Sequence, residues 1–477
     1  MDFLKKFNTE TQYDVDVENF EYATVSYIED IEEVRYMEKP LHDYSKDYLT
    51  LEALENGVIS FNIWKSMGTD MITSISYSTD NGDTWTTTNN TNDKSENLQI
   101  SVNVEEGDKV LWKGIATQTG YYDGDDYGDY VGSFFSSDCE FNASGNVMSL
   151  LYGDNFIGQT SLNNIDAIFV YLFSDHDGQE SCQIVSAENL ILPATTLTAL
   201  CYFNMFRGCT SLTTAPTLPA TTLEGSCYQN MFRNCTSLTT APELPATTLG
   251  ANCYAYMFYG CTSLTKAPEL PAITIAVRSY QGMFRGCTSL TTAPELPATT
   301  LVANCYENMF YDCTSLTTTP ELPATTLAEF CYNSMFRGCT SLTTAPATLS
   351  VTTLATNCYG SMFYGCTSLT TAPELPATTL VSNCYNSMFY GCTSLTTAPE
   401  LPATTLVNGC YVNMFQNCSR LNYIKAMLTT TPTTSYTSSW VSGVAATGTF
   451  VKNSVATWNV TGVNGVPTGW TVQTASE

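Results

Sequence analysis

Between residues 191 and 428 the apolar and polar positions recur in one order nine times, with a period of 26 residues and one 27-residue unit. The clearest unit is residues 235–260, CTSLTTAPELPATTLGANCYAYMFYG. Self-similarity at such a period predicts a solenoid, in which each coil cannot bury its apolar side alone and stacking completes the core. Leu223, Cys227 and Met231 follow at i, i+4 and i+8, and Tyr228 and Phe232 widen the stripe. That spacing predicts a short helix with one buried face. The next column reads Gly208, Asn234, Gly260, Gly286, Asp312, Gly338, Gly365, Gly391, Asn417. These residue types best accept a left-handed backbone, so the helix is expected to end there. Leu238-Thr239-Thr240-Ala241-Pro242 then predicts a short parallel rung, because proline is excluded from strand interiors. In the 27-residue unit, Thr348-Leu349-Ser350-Val351 replaces the usual Leu-Pro-Ala. The fold class expected is an α+β solenoid of 26-residue coils, each a short parallel strand plus a short helix, preceded by a small all-β domain.

The pattern changes outside the repeats. Residues 8–20 suit a short helix, and residues 23–36 suit a hairpin around an acidic turn at 29–33. Residues 46–145 alternate with period two around Asp80-Asn81-Gly82-Asp83 and Glu105-Glu106-Gly107-Asp108, which predicts a β-sandwich. Phe156-Ile157-Gly158-Gln159-Thr160-Ser161-Leu162 and Tyr171-Leu172-Phe173 with Cys182 read as two worn repeats, as an end cap requires. The division expected is 1–45 (acidic attachment module), 46–147 (β-sandwich), 148–428 (solenoid) and 429–477 (β-rich cap). All six tryptophans lie outside the regular repeats.

Charge sharpens this division. Of the net charge of −28, residues 1–190 carry −26, from 35 acidic against 9 basic side chains. Such a front repels nucleic acid and anionic membrane; it serves solubility or, on the sharper reading, docking onto a basic protein partner. Met1-Asp2-Phe3-Leu4-Lys5-Lys6 lacks the apolar run of a secretion signal, which predicts synthesis in a cytoplasm without a standard leader. No run of eighteen apolar residues predicts a membrane span. Seventeen of the 19 cysteines fall in two repeat columns, and Ser279 replaces one member while Cys287 persists, so they read as buried free thiols rather than disulfides. With no C-x-x-C and only His42 and His176, no metal or other cofactor is expected. Residues 123–129 mimic a calcium loop, but Tyr127 and Phe134 stand where ligands belong.

The order Cys-x-x-Leu, Leu-Pro, Leu, Met-Phe-x-Gly-Cys over residues 150–428 resembles the BspA-type leucine-rich repeat of bacterial surface proteins. Family units are usually shorter and carry Ala-Phe where this chain has Met-Phe. The stretches at 7–13, 76–85, 107–114, 148–154 and 465–470 also resemble structural proteins of gut Bacteroidales (crAss-like) phages. That second resemblance implies a non-enzymatic virion protein, a head or tail fibre or decoration. It would be made in the host cytoplasm and held to a capsid or tail protein by its N-terminal region. The solenoid or the C-terminal cap would then meet a host protein or glycan. The repeat resemblance alone implies a bacterial cell-surface adhesin. A glycan-degrading enzyme is a remote third reading, since no Gly-x-Ser-x-Gly or His-Glu-x-x-His occurs.

Within the fixed frame, the residue after Met-Phe varies: Arg207, Arg233, Tyr259, Arg285, Tyr311, Arg337, Tyr364, Tyr390, Gln416. Arg and Tyr are enriched at binding hot spots, and stacked in register they would form one stripe. The first eight are the candidate binding residues; the plainer reading is that their long stems cover the coil edge. The nine tyrosines from Tyr202 to Tyr411 are expected to be buried with hydrogen-bonded hydroxyls.

Overall fold

The computed structural model describes residues 14–17, 20–24, 46–63, 72–89, 98–116, 120–123, 129–162, 164–174 and 182–475. The chain divides into two units, Met1–Asp47 and Tyr48–Glu477. In the first, β1 (Asp14–Val17) pairs antiparallel with β2 (Phe20–Thr24), Asp14 facing Thr24. The helix expected over 8–20 is therefore absent from its described part. Asp14-Val15-Asp16-Val17 alternates with period two, and β-branched residues favour an extended chain. Residues 8–13 and most of the hairpin expected at 23–36 lie outside the described residues.

Period-two alternation governs the next hundred residues. The strands are β3 (Leu49–Ala53), β4 (Gly57–Ile63), β5 (Ile72–Ser78), β6 (Thr86–Asn89), β7 (Leu98–Val104), β8 (Lys109–Ala116), β9 (Gly120–Asp123), β10 (Asp129–Gly132), β11 (Phe134–Ser137) and β12 (Phe141–Asn146). After a four-residue helix α1 (Ser149–Tyr152) comes β13 (Ile184–Ile191). A six-stranded sheet runs β13-β12-β3-β8-β5-β6, and a three-stranded sheet runs β11-β4-β7. The two meet through aromatic rings: Trp112 of β8 lies 5.9 Å from Phe61 of β4 and 5.3 Å from Phe135 of β11. Every pair in the large sheet is antiparallel except β12 with β13, which is parallel and passes the ladder on to the repeats. Thr213 N–H donates to the Val185 carbonyl and Ala187 N–H to that of Thr214 (2.8 and 3.0 Å).

The repeat units stack on that edge, but not as strand plus helix. No helix forms between residues 223 and 234. The backbone is left-handed at Ser226, Asn230 and Asn234 (φ 57°, 57° and 62°), and one such residue in every four forbids an α-helix. What forms instead is a run of overlapping turns. Gln229, Met231, Arg233 and Cys235 donate their N–H groups three residues back, to Ser226, Tyr228, Asn230 and Phe232. The alternate N–H groups of Ser226, Tyr228, Asn230, Phe232 and Asn234 donate to carbonyls of the following unit, at Ala251, Cys253, Ala255, Met257 and Tyr259 (2.7–3.0 Å). Half of the amide donors are thus used locally and half between units, which answers where this buried backbone's polar groups go. The peptide joining Cys227 to Tyr228 accepts from Tyr202 and donates to the Cys253 carbonyl, and the same relay repeats up to Tyr411, which donates to Tyr436.

The turns bring pairs of side chains inward every four residues: Cys227 with Tyr228, Met231 with Phe232, then Cys235, all within 1 % of full burial. A four-residue period is close enough to 3.6 to mimic a helix face. The rungs shrink to isolated parallel bridges such as Thr240 to Lys266 to Thr292, because Pro242 and its equivalents follow two residues on. Rings stack in two columns, the tyrosines at 5.7–6.2 Å and the phenylalanines at 5.4–5.8 Å.

Both ends of these columns are closed by aromatic side chains. Phe173 of the second worn repeat stacks on Phe206 at 5.2 Å, and Phe135 stacks on Phe173 at 5.6 Å, so the phenylalanine column begins inside the β-sheets. At the other end Trp440 meets both Tyr411 (6.1 Å) and Phe415 (6.3 Å) and donates its indole N–H to the Gly465 carbonyl. The last residues add β14 (Tyr423–Ala426), a second four-residue helix α2 (Thr434–Thr437), β15 (Thr449–Lys452) and β16 (Thr471–Thr474). The three strands pair in parallel, in the order β14-β15-β16.

Candidate functional site

The Arg/Tyr column is placed by the turn that ends each unit. Asn234 and its equivalents are left-handed at all nine positions, including the non-glycine Asp312 (φ 58°). Each preceding residue, held by an N–H donated to the left-handed residue three positions earlier, stands half-buried at the unit's edge. Successive units therefore bring Arg233, Tyr259, Arg285, Tyr311, Arg337, Tyr364 and Tyr390 into one file. Their planes interleave. Arg233 lies over the Tyr259 ring at 4.6 Å, and Arg285 over its other neighbour-facing side at 5.5 Å. Tyr311 is likewise met by Arg285 at 4.3 Å and Arg337 at 5.3 Å. Arg337 lies over Tyr364 at 4.1 Å, and Tyr364 stacks on Tyr390 at 4.3 Å. The Tyr390 hydroxyl accepts from the Asn417 amide. Arg207 heads the file without a ring of its own at this spacing.

These contacts are cation–π pairs, each worth about 0.5–2 kcal/mol depending on exposure. They also spend the faces of Tyr259, Tyr311 and Tyr364 on neighbours. Among the described residues no carboxylate lies within ion-pair distance of Arg207, Arg233, Arg285 or Arg337. Arg233 has a buried Nε without a partner. Burial lowers its pKa, and the like charges of Arg207 and Arg285 lower it further. Burial pushes the Asp312 carboxyl up, and the nearby Arg285 and Arg337 act in the opposite direction.

A family description, BspA type Leucine rich repeat region, matches this chain in six copies over residues 178–317, 252–362 and 360–442, more than half of its 477 residues. The chain belongs to the BspA-type leucine-rich repeat family. No curated protein and no solved structure matches it, so the resemblance to phage structural proteins gains no support from relatives.

In this BspA-type protein the thiols serve packing. All 19 cysteines are free and buried. The second column also links units: Cys235 Sγ donates to the Phe206 carbonyl at 3.0 Å, and the pattern repeats to Cys418 and Phe389. Burial raises the thiol pKa of both columns, so they stay protonated and unreactive. No set of three or more His, Cys, Asp or Glu side chains among the described residues is arranged to hold a metal, and no helix is long and apolar enough to cross a membrane. Of the acidic loop at 123–129, Asp123 and Asp129 face each other as the paired ends of β9 and β10; residues 124–128 lie outside the described residues.

One expectation fails on the tyrosine column. The rings are buried, but the hydroxyls of Tyr202 and Tyr254 find no partner. Beside the stripe, Tyr256 occupies a left-handed position (φ 56°) and meets Tyr259 edge-on at 6.3 Å. It escaped notice because its column otherwise holds Asn, Ser and Gly. The same region contains the most exposed large apolar side chain among the described residues, Ile273, at 72 %. The sequence signal is that Ile273 and Ser279 break columns otherwise all Thr and all Cys within one unit.

Proposed function

We propose that this protein is a non-enzymatic recognition protein displayed on a surface, with the Arg/Tyr file of its solenoid as the contact face. The observation that carries the reading is the file itself. Side chains of hot-spot type vary inside an otherwise fixed frame, interleaved into one half-buried row along the stack. Pre-ordering the row lowers the entropy lost on binding. Surface display accords with the family. The acidic residues 1–190 suit attachment to a basic protein of the supporting particle or cell, with 1–45 as the attachment module, 46–147 as a spacer and 429–477 as the distal cap.

The test uses the full chain, fluorescently labelled, on intact cells of a bacterial panel and on cultured epithelial cells. Saturable binding that is lost in an Arg233→Ser, Tyr259→Ser, Arg285→Ser, Tyr311→Ser variant of unchanged circular dichroism supports the proposal. Binding that the variant retains moves the contact off the file and overturns it.

A further inference from the structure

Resting on that reading, we infer that the file binds a linear acidic polysaccharide, through carboxylate or sulfate groups recurring along the chain at every second sugar. Three observations point to this chemistry. First, Arg207, Arg233, Arg285 and Arg337 have no carboxylate partner within ion-pair distance among the described residues, so their charge is left for an external anion. The guanidinium fork is suited to carboxylate and sulfate geometry. Second, Tyr259 and Tyr311 each lie between two guanidiniums and Tyr364 between a guanidinium and the Tyr390 ring, so those faces are taken. Stacking of a neutral sugar or of a nucleobase needs an open aromatic face, which Tyr259, Tyr311 and Tyr364 do not offer. Third, from Arg233 onward the charge recurs every second unit, at Arg233, Arg285 and Arg337, with a tyrosine between. Within the file the guanidinium-to-ring distances repeat, 4.6 then 5.5 Å around Tyr259 and 4.3 then 5.3 Å around Tyr311, so the spacing of alternate guanidiniums is regular. A polymer with one anion per two-sugar repeat can meet this alternation in register. Residues 191–428 as a whole hold 8 basic against 10 acidic side chains, and four of the basic ones are the arginines of the file, so the row is a local cationic line rather than part of a general basic surface.

The experiment measures binding of the full chain to hyaluronate, polygalacturonate, neutral dextran and single-stranded DNA at rising salt. Hyaluronate is expected to bind, weakening as salt is added. Arg285→Gln and Arg337→Gln should each weaken it by roughly tenfold. Lys266→Gln, which removes the same charge from the rung column of the stack, should leave affinity unchanged. Binding to neutral dextran alone, or tighter binding to the DNA, overturns the inference. Binding to none of the polymers, with file-dependent cell binding intact, also overturns it but leaves the recognition reading standing. Loss of file-dependent cell binding removes both.

Discussion

Ser279 puts a hydroxyl where the other eight regular units hold a thiol, fully buried and without a hydrogen-bond partner. A buried unpaired hydroxyl costs about 1–3 kcal/mol, whereas a thiol at the same place behaves as a small hydrophobe. Ser279→Cys is therefore expected to stabilise the chain by roughly 1 kcal/mol, read as a rise in the urea midpoint at constant slope; an unchanged or lower midpoint refutes the assignment. At this scale much was legible. The Gly/Asn/Asp column announced its left-handed backbone, and the loss of one cysteine without its neighbour announced free thiols. The interleaving of Arg with Tyr was also written in the order of the column, since a 26-residue step brings each beside the next. The unpartnered hydroxyls of Tyr202 and Tyr254 were not legible, because nothing local tells whether a buried ring's tip meets an acceptor.

At the level of the element, the misread helix has a definite cause. Overlapping turns place side chains inward in pairs at four-residue intervals, and Leu223, Cys227 and Met231 sample that period exactly as a helix face would over so short a run. Two of the three left-handed columns hid because Leu200, Tyr256, Arg278 and Phe330 occupy them, residues that rarely adopt φ near +60°. Their conformation is imposed by hydrogen bonds between units, which no single unit's sequence encodes. One pair shows the accommodation directly. The Tyr256 ring lies where a Cβ on Gly282 would stand, in the same column one unit on. Gly282→Asn should destabilise by about 1–3 kcal/mol, although Asn is the commonest residue of that column. Tyr256→Asn in the same chain should recover most of the loss. A double-mutant cycle in urea measures the coupling, and additive effects would deny the contact.

For the whole molecule, the buried thiols and phenols make stability a function of alkaline pH. Burial raises the Cys and Tyr columns well above their ordinary values of 9.0 and 10.0. Unfolded, those groups ionise first, so the unfolded chain binds fewer protons and stability falls as pH rises; the contribution is complete below the unfolded thiol value. Each ionising group adds a slope of about 1.4 kcal/mol per pH unit. Urea midpoints taken from about pH 7 to about pH 10 should decline ever more steeply, and a flat profile would contradict the burial. Outside the repeats, Tyr48 is pushed up to about 12 by burial and by its bond to Asp154, so its share is lost between its ordinary value and that one. The molecule was legible as a stack and as an acidic front, but the passage of the phenylalanine column into the β-sheets through Phe173 and Phe135 was not, since it depends on tertiary placement of two unrelated segments. The relay of peptides from unit to unit has a further effect. Five columns of amides all point their N–H groups toward the C-terminal end. Aligned peptide dipoles add, as they do along a helix axis, but here the axis runs across the chain and through every unit. The carbonyl end faces the β-sheets; at the other end Asn464 accepts from Ser439 through its side chain. The stack is therefore an electrical arrow, and two copies brought end to end lower their electrostatic energy head to tail and raise it head to head.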